Sequence, residues 1–359
     1  MTVDKLPEWG AIKGLVYPER VSLEQCSSEY TAKYKANVIR RLFQRQGLPL
    51  DSFIDLTGGF GVDCYYIGKD FRHAVYVEQN AALCDIVKNN YSLLGYLHSE
   101  CINDSAESFI TTASKADFIY IDPPRRDRFG NRTYDIKDCT PNVKELREVL
   151  LDKARVVMIK LSPMFDWHKA VADLQNVTEV HGVSVKNECK ELLLVLQNEK
   201  ESLTITCAND NDLFTYINDD KVKETEKKIY PSWEDINSAT YLYEPNASIM
   251  KAGCFNHVAE RFGLEKISAN SHLYLSDRCV DDFPGRVFNI NAVSSLNRKE
   301  VKEVLYGVTN ANVATRNFPV GVEDVKKRLK LKDGGDIYVF ATTTDENKHI
   351  IFACKKKIM

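Results

Sequence analysis

The chain has 359 residues with a formal net charge of −3 at pH 7, and 44% of its residues are hydrophobic. This length and balance predict a soluble globular protein of two or three domains and exclude a histone-like polycation. No apolar run reaches the ~18–20 residues that span a bilayer, and the N-terminus lacks the apolar region of a signal peptide. The ten cysteines are scattered without a C-x-x-C pair, which predicts no zinc ribbon and a reduced, cytoplasmic protein.

Residues 1–50 form a predicted N-terminal helical segment. Ser27 or Ser28 is positioned to cap a helix that has an acid in its first turn. Gly47 is placed to end that helix. We interpret this segment as a lid, or as a cap for the edge of the sheet that the following residues predict.

Between residues 51 and 198, short apolar strands alternate with helical stretches. Strands are predicted over 52–56, 74–78, 118–122, 155–161 and 191–197. This alternation predicts an α/β fold, a doubly wound and mostly parallel sheet with helices on both faces.

A glycine-rich turn follows the first predicted strand. The turn contains Asp55, Thr57, Gly58, Gly59 and Gly61. Glycines let a backbone approach a ligand and accept positive φ, and the carboxyl ends of parallel strands are where such sheets bind ligands. The spacing is neither G-x-G-x-x-G nor that of a P-loop, so we expect neither a dinucleotide fingerprint nor an ATP cradle.

Two acids occupy the ends of the next predicted strands. Glu78 ends the second strand, and Asp104 follows a possible short third strand. Carboxylates at these points can accept hydrogen bonds from ribose hydroxyls and from an adenine amino group. Taken singly, Glu78 is equally well explained as an ordinary surface glutamate, and Asp104 as an aspartate that caps a helix.

In this order, the glycine turn, Glu78 and Asp104 resemble the first three motifs of class I S-adenosylmethionine-dependent methyltransferases. The resemblance implies a Rossmann-like domain over 51–198 with S-adenosylmethionine as its cofactor. It also implies that the cofactor is bound by Asp55, Thr57, Gly58, Gly59, Gly61, Glu78 and Asp104.

The fourth predicted strand ends in the sequence Asp122-Pro-Pro-Arg125. The doubled proline can continue neither a strand ladder nor a helix, so it predicts an extended loop at the sheet edge. There the Asp122 side chain and the Pro123 carbonyl would offer two acceptors, which suits the two N–H donors of an exocyclic amino group. The motif resembles the Asp/Asn-Pro-Pro-aromatic signature of methyltransferases that act on adenine or guanine amino groups. The resemblance implies catalytic roles for Asp122, Pro123, Pro124 and Arg125.

Arg125 departs from that signature, which has an aromatic residue to stack on the base. A guanidinium can also stack, but Asp-Pro-Pro-Arg resembles the uracil C5 methyltransferases of RNA as well. Those enzymes need a cysteine nucleophile after the following strand, where this chain has Ser162. Because a serine is a poor substitute for a thiolate, we expect no C5 chemistry unless Cys139 folds back into the site.

Cations and aromatic rings are interleaved around this loop. Arg126 and Arg128 precede Phe129, and Phe165 follows Pro163. Cations that contact phosphates beside rings that stack on unpaired bases suit RNA, so Arg126, Arg128 and Phe165 are candidate substrate contacts. The alternatives are a solvated loop with internal ion pairs, and aromatic packing against the sheet.

The charge changes sign near residue 283. Residues 199–283 hold 16 acidic and 9 basic residues, whereas residues 284–359 hold 8 acidic and 14 basic residues. We interpret the first segment as a connecting α/β unit and the second as a small α+β domain. Lys327 and Arg328 lie in its densest basic run. Such a patch either binds a polyanion through counterion release or is an ordinary solvated helix face.

Three further stretches resemble a bacterial methyltransferase family with a C-terminal THUMP-like domain. They begin at Gln25, Tyr243 and Thr315, and the resemblance covers essentially the whole chain. THUMP domains bind RNA, so the resemblance implies a cytoplasmic, metal-independent methyltransferase that modifies an exocyclic amino group in tRNA or rRNA. Two alternatives remain open: a methyltransferase of a protein or small molecule, and a catalytically idle RNA-binding factor on the same fold.

Overall fold

The computed structural model describes residues 5–18, 20–124, 135–199, 202–218 and 230–357. The chain forms two compact units. The first comprises Met1–Val183 and Lys190–Thr206, and the second comprises Ser184–Cys189 and Cys207–Met359. Within the described ranges, no helix is both long and apolar enough to cross a membrane.

Within the described residues, three helices precede the first strand: α1 (Pro7–Gly10), α2 (Arg20–Gln25) and α3 (Glu29–Gln46). Ser28 caps α3 by accepting a hydrogen bond from the backbone N–H of Thr31 at 3.2 Å, and Gly47 ends the helix with φ 65°. Both ends of the predicted helix are thus confirmed. The buried Glu29 accepts from the backbone N–H groups of Glu8 and Trp9 at 2.7 and 3.1 Å, which satisfies donors at the start of α1.

A mostly parallel sheet forms the core of the first unit. Seven of the nine strands of this sheet are β1 (Ser52–Asp55), β2 (His73–Val77), β3 (Ser99–Ile102), β4 (Ala116–Ile121), β5 (Ala154–Leu161), β6 (Val177–Val185) and β7 (Glu188–Gln197). They lie in the order β3-β2-β1-β4-β5-β7-β6. β1 to β5 are parallel, and β7 pairs antiparallel with β5.

Five helices connect the strands of this sheet. They are α4 (Val62–Gly68), α5 (Ala81–Leu93), α6 (Ala106–Thr112), α7 (Val143–Lys153) and α8 (Trp167–Leu174), with a short 3-10 turn at Ile136–Asp138. Every residue of β4 is buried, as expected for a parallel strand that is covered on both faces. The predicted Rossmann-like α/β class is confirmed.

Strand β6 was not among the predicted strands, and its side chains explain why. Its nine residues include Thr178, Glu179, His181 and Ser184, all buried. Buried polar side chains need hydrogen-bond partners, and Glu179 finds one in His181 Nε2 at 3.0 Å. A strand of this composition lacks the apolar run on which the other strand predictions rested.

The second unit contains a seven-stranded sheet in the order β11-β12-β10-β13-β16-β15-β14. Two strands precede the elements of this sheet along the chain and are not part of it. They are β8 (Thr204–Asn209), which begins in the first unit, and β9 (Asp212–Ile217). The strands of the sheet and the helices between them are α9 (Trp233–Ser238), β10 (Tyr241–Pro245), α10 (Ala247–Ala252), α11 (Phe255–Phe262), β11 (Glu265–Lys266), β12 (Tyr274–Ser276), β13 (Gly285–Ser295), α12 (Arg298–Val304), β14 (Asn312–Arg316), α13 (Val322–Leu329), β15 (Ile337–Thr343) and β16 (His349–Lys356).

Alternate residues of β15 enter two different cores of this unit. Phe340 packs with Leu242 and Phe288, whereas Val339 packs with Val325 of α13 and Leu305, which follows α12. This alternation is the two-residue period of a strand. The predicted small α+β domain is confirmed, and both of its helices contribute to the same core.

The change of charge near residue 283 falls inside this sheet. β10, from the acidic segment, pairs with β13 of the basic segment, with Tyr241 opposite Asn289. Glu244 of β10 is buried and accepts from Arg286 Nε at 2.8 Å and from Arg316 at 2.5 Å. The two segments of opposite charge therefore share one sheet and one ion-pair cluster around the buried Glu244.

Candidate active site

The glycine turn leaves β1 and enters α4, and its packing requires glycine at two positions. A Cβ atom on Gly58 would lie 2.1 Å from the ring of Tyr76, which no side chain can tolerate. Gly61 caps α4 with φ 78°, a left-handed conformation that favours glycine. The turn therefore lies closer to the neighbouring strand β2 than any other residue type would allow.

Two buried tyrosines hold this turn in place. The Tyr76 hydroxyl donates to the carbonyl of Gly59 at 2.6 Å, and the Tyr91 hydroxyl donates to that of Gly61 at 2.8 Å. Burial raises the pKa of both phenols above the usual range, so both remain donors at neutral pH. Sequence reasoning missed these residues, because a tyrosine in a strand or helix carries no local signal of its partner.

Glu78 lies directly against the turn. One of its carboxylate oxygens accepts from the backbone N–H of Gly59 at 2.9 Å, and the other accepts from that of Asn80 at 2.8 Å. The side chain is partly exposed, and each carboxylate oxygen can accept further hydrogen bonds. The Asn103 amide donates to the carbonyls of Glu78 and Gln79, which ties the end of β2 to the end of β3.

Asp104 lies at the end of β3, partly exposed. Its carboxylate accepts from the backbone N–H of Ser105 at 2.8 Å, and Ser105 in turn caps α6. The cap of this helix is therefore Ser105, and Asp104 lies one residue outside the helix.

Asp55 is the most buried acid of the turn, with 1% exposure. One carboxyl oxygen accepts from the backbone N–H of Thr57 at 3.0 Å. The other is buried and has no hydrogen-bond partner among the described residues. Burial raises the pKa of Asp55 well above its usual range, and the nearby carboxylates add to that rise. An orphaned buried acceptor is costly, so a bound ligand that brings a cationic or donor group fits this position.

Thr57 joins the turn to the Asp-Pro-Pro loop. Its hydroxyl oxygen accepts from the backbone N–H of Asp122 at 2.6 Å. β1 and β4 are adjacent parallel strands, with Asp55 opposite Tyr120, so their two exit loops meet at the same sheet edge. The structure thus brings together Asp55, Thr57, Gly59, Glu78 and Asp122, which the sequence places as far as 67 residues apart.

Lys160, near the end of β5, donates from its ammonium group to a carboxylate oxygen of Asp122. The Lys160 side chain is 14% exposed and that of Asp122 is 30% exposed. Burial acts to lower the pKa of Lys160, but the carboxylates of Asp122, Glu191 and Asp63 raise it above its usual range. Lys160 is therefore protonated at neutral pH and pairs with Asp122. In the sequence, Lys160 is marked only as a cation that follows the apolar centre of a strand.

Behind this pair lies a set of buried polar side chains, Ser27, Lys35, Asp63 and Glu191, which we call the buried ion cluster. The Lys35 side chain is fully buried, and its ammonium lies 3.1 Å from Asp63 and 2.6 Å from Glu191. It also donates to the Ser27 hydroxyl at 3.0 Å. Ser27 and the hydroxyl of Tyr120 both donate to Asp63, at 2.7 and 2.9 Å.

The charges of the buried ion cluster support one another. Burial acts to raise the pKa of Asp63, but Lys35, Lys160 and the Ser27 hydrogen bond lower it below its usual range. Sequence reasoning had grouped Ser27 with the possible helix caps, whereas the structure assigns the capping to Ser28 and turns Ser27 inward. The signal that could have found it is the Gln25–Glu29 stretch, which carries the family resemblance.

The predicted substrate contacts have three different outcomes. Arg126 and Arg128 lie outside the described residues, as does Arg125 of the predicted catalytic loop. The prediction for Phe165 is wrong, because its side chain is only 2% exposed and packs inside the first unit instead of offering a ring to a base. Lys327 and Arg328 are exposed on α13 of the second unit.

The two residues considered for C5 chemistry do not supply a reactive thiolate. Ser162 accepts from the backbone N–H of Met164 at 3.3 Å. Cys139 is buried, and burial raises the pKa of its thiol to about 12. A thiol of that pKa is protonated at neutral pH and is a weak nucleophile.

Comparison with known families supports this reading of the fold. Residues 36–184 match the family described as conserved hypothetical protein 95, residues 241–284 match a ferredoxin-like domain, and residues 285–356 match a THUMP domain-like family. The predicted resemblance to methyltransferases with a THUMP-like ending is confirmed. No curated protein matches the chain.

Among solved structures, the chain is similar to a candidate methyltransferase from Porphyromonas gingivalis W83. The two are 28% identical, with a TM-score of 0.84, over 99% of this chain and 87% of that chain. A candidate RNA methyltransferase from Pyrococcus horikoshii is 13% identical with a TM-score of 0.38, over 54% of this chain and 96% of that chain. An rRNA methylase from Streptococcus thermophilus is 15% identical with a TM-score of 0.33, over 45% and 95%.

Proposed function

We propose that this chain is an S-adenosylmethionine-dependent methyltransferase that modifies an exocyclic amino group of a base in RNA. The observation that carries the proposal is the 2.6 Å hydrogen bond between Thr57 and Asp122. It sets a glycine turn of the cofactor-binding type against the Asp-Pro-Pro loop. The similarity to the Porphyromonas gingivalis candidate methyltransferase, which extends over nearly the whole chain, supports the reaction class.

Each acid of the site has a role in this proposal. The glycine turn and Asp55 would hold the methionine part of the cofactor, whose ammonium would meet the orphaned oxygen of Asp55. Glu78 would accept from the ribose hydroxyls, and Asp104 would accept from the adenine amino group. When bound, the cofactor supplies an electrophilic methyl group on a sulfonium.

Asp122 and Pro123 would orient the nucleophile. One oxygen of Asp122 is engaged by Lys160, which leaves the other oxygen and the Pro123 carbonyl as acceptors for the two amino protons. Accepting both protons turns the nitrogen lone pair away from conjugation with the base, and orientation then supplies most of the rate. When the nitrogen becomes methylated it loses a proton, for which Asp122 is the nearest base of the proposed site.

The second unit offers a surface suited to RNA. Lys327 and Arg328 are exposed, as are Lys330 and Lys332 just beyond α13. Tyr306, in the same THUMP domain-like segment, is 87% exposed. Cations that contact phosphates and a ring that can stack on a base are both features of single-stranded RNA binding.

Labelled cofactor tests the function directly. The wild-type protein is incubated with methyl-labelled S-adenosylmethionine and, in separate reactions, with the total RNA, the protein fraction and the small-molecule fraction of a strain that lacks the gene. The labelled product is identified by mass spectrometry. We expect label on a base amino nitrogen. Label in protein or in a small molecule would favour the first alternative. RNA binding without any label would favour the idle RNA-binding factor.

Replacing Glu78 by alanine is expected to weaken S-adenosylhomocysteine binding about 10- to 100-fold. The change removes charge-assisted hydrogen bonds worth about 1.5–3 kcal/mol. Isothermal titration calorimetry measures the affinity, with Glu100→Ala, an exposed acid on the neighbouring strand β3, as the matched control. Equal affinity of wild type and Glu78→Ala, or no binding by wild type, would remove the cofactor assignment.

The double variant Lys327→Ala/Arg328→Ala is expected to weaken RNA binding and to flatten its salt dependence. Each lost phosphate contact lowers the slope of log K against log salt by about 0.7–0.9. Fluorescence anisotropy with bulk tRNA between low and moderate salt measures that slope. Lys348→Ala is the control, because Lys348 is paired with Glu346 at 2.7 Å in the same unit. An unchanged slope in the double variant would place the RNA contact elsewhere.

A further inference from the structure

The placement of Lys160 and Asp122 follows from the sheet. β4 and β5 run parallel with Ile121 opposite Ile159, so the next residue of each chain segment lies at the same sheet edge. There Lys160 donates to the Asp122 carboxylate, while the Thr57 hydroxyl accepts from the Asp122 backbone N–H. The main chain and the side chain of Asp122 are therefore held by different neighbours, Thr57 after β1 and Lys160 in β5.

The positive and negative charges around the Lys160–Asp122 pair do not balance. Two ammonium groups, on Lys35 and Lys160, face three carboxylates, on Asp63, Glu191 and Asp122. The Asp63 and Glu191 side chains are 11% and 5% exposed, whereas that of Asp122 is 30% exposed. The one carboxylate of this set that a ligand can readily reach is therefore Asp122, and the set as a whole has an excess of one negative charge.

We propose that Lys160 is a positioning residue, which fixes the Asp122 carboxylate so that a single oxygen faces the substrate. This inference deepens the proposed function and rests on it. An isolated aspartate can rotate and offer either oxygen to an amino group. With one oxygen engaged by Lys160, the carboxylate is held in one rotamer, so its other oxygen and the Pro123 carbonyl present a fixed pair of acceptors and the amino group binds in one orientation.

The same arrangement controls the protonation of Asp122. Among the residues that the structure describes, the titratable groups that act on it include Lys160 on β5, Lys35 on α3, Asp63 on α4 and Asp55 on β1. Burial raises the pKa of Asp122, and Lys160 opposes that rise. Removing the Lys160 charge therefore raises the Asp122 pKa further. As the pH falls, Asp122 would then become protonated at a higher pH than in the wild type. The acidic limb of the plot of kcat/KM against pH would therefore shift to higher pH.

Three variants of Lys160 test the inference: Lys160→Met, Lys160→Gln and Lys160→Arg. Turnover on RNA gives kcat and KM, a pH series gives kcat/KM against pH, and calorimetry gives S-adenosylhomocysteine affinity as a check of the folded cofactor site. Arg155→Met is the matched control, since Arg155 lies at the opposite end of β5 and pairs with Asp117. We expect Lys160→Met and Lys160→Gln to lower kcat about 100-fold with cofactor affinity changed less than threefold.

The pH profile separates positioning from a general structural role. In Lys160→Met and Lys160→Gln the acidic limb should move up by about one pH unit or more, because a nearby opposite charge lowers a carboxyl pKa by about 1–3 units. Lys160→Arg and Arg155→Met should keep the wild-type limb. Loss of kcat with an unmoved limb, or an unchanged kcat in Lys160→Met, would overturn the inference.

A measurement without turnover keeps this inference separate from the proposed function. Carbon NMR of aspartate-labelled protein follows the carboxyl titrations, and the Asp122 resonance is identified by its absence in Asp122→Asn. A higher Asp122 pKa in Lys160→Gln supports the pairing even if the wild type methylates no RNA, which would be a failure of the proposed function alone. An unchanged Asp122 pKa contradicts the inference whatever the activity is.

Discussion

Replacing Asp122 by alanine is expected to lower methyl transfer to RNA by at least about 100- to 1,000-fold, the usual effect of removing one preorganised polar group from an active site. The variant loses the side-chain acceptor that orients the amino group and leaves Lys160 without its carboxylate partner. Cofactor binding should change little, because the glycine turn, Glu78 and Asp104 are intact. Single-turnover rates with labelled cofactor measure the chemical step, and calorimetry with S-adenosylhomocysteine measures the binding.

Two further variants sharpen this result. Asp122→Asn keeps an oxygen acceptor but loses the charge, so its rate should fall between those of the wild type and Asp122→Ala. Asp152→Ala is the control, since Asp152 is an exposed acid of the same unit that pairs with Lys115, and its rate should be unchanged. Wild-type turnover in Asp122→Ala would contradict the assignment of Asp122 as the catalytic residue.

Replacing Lys35 by methionine is expected to lower the free energy of unfolding by about 3–5 kcal/mol. The Lys35 side chain is fully buried between Asp63 and Glu191. Removing one partner of a buried ion pair leaves the other charge buried without a compensating charge, which accounts for a loss of this size. Urea unfolding at neutral pH, followed by circular dichroism and by tryptophan fluorescence, measures the change and shows whether both probes report one transition.

Helix α3 supplies a matched control for this variant. Lys33 lies two residues earlier, is 45% exposed and pairs with Glu8, so Lys33→Met should cost less than about 1 kcal/mol. Adding Glu191→Gln to Lys35→Met removes one stranded charge and should recover part of the stability. A loss below 1 kcal/mol in Lys35→Met, or no recovery in the double variant, would contradict the account of the buried ion cluster.

The parts of the site that sequence reasoning found are those with a local signal. Gly58 and Gly61 were found because a glycine-rich turn after a strand is recognisable over a few residues. Asp122 was found because two following prolines mark the end of a strand. Glu78 was found because it ends an apolar run. In each case a short stretch of chain contains both the element and the residue that follows it.

The parts that sequence reasoning missed depend on partners far along the chain. Lys35 and Glu191 are 156 residues apart, and neither position is unusual within its own helix or strand. Phe165 shows the opposite error. An aromatic residue after a proline suits either base stacking or a core, and only its 2% exposure decides between them.

Short stretches of sequence were enough to predict the alternation of strands and helices, the glycine turn, the acids at the strand ends and the two segments of opposite charge. These are properties of short windows, where periodicity and turn chemistry act locally. The folded chain was needed to show that Lys160 meets Asp122, that Ser27 turns inward to Asp63, and that the two charged segments share one sheet. Burial and ion pairing depend on which surfaces come into contact, and strand order, which brings those surfaces together, cannot be read from any single stretch of the chain.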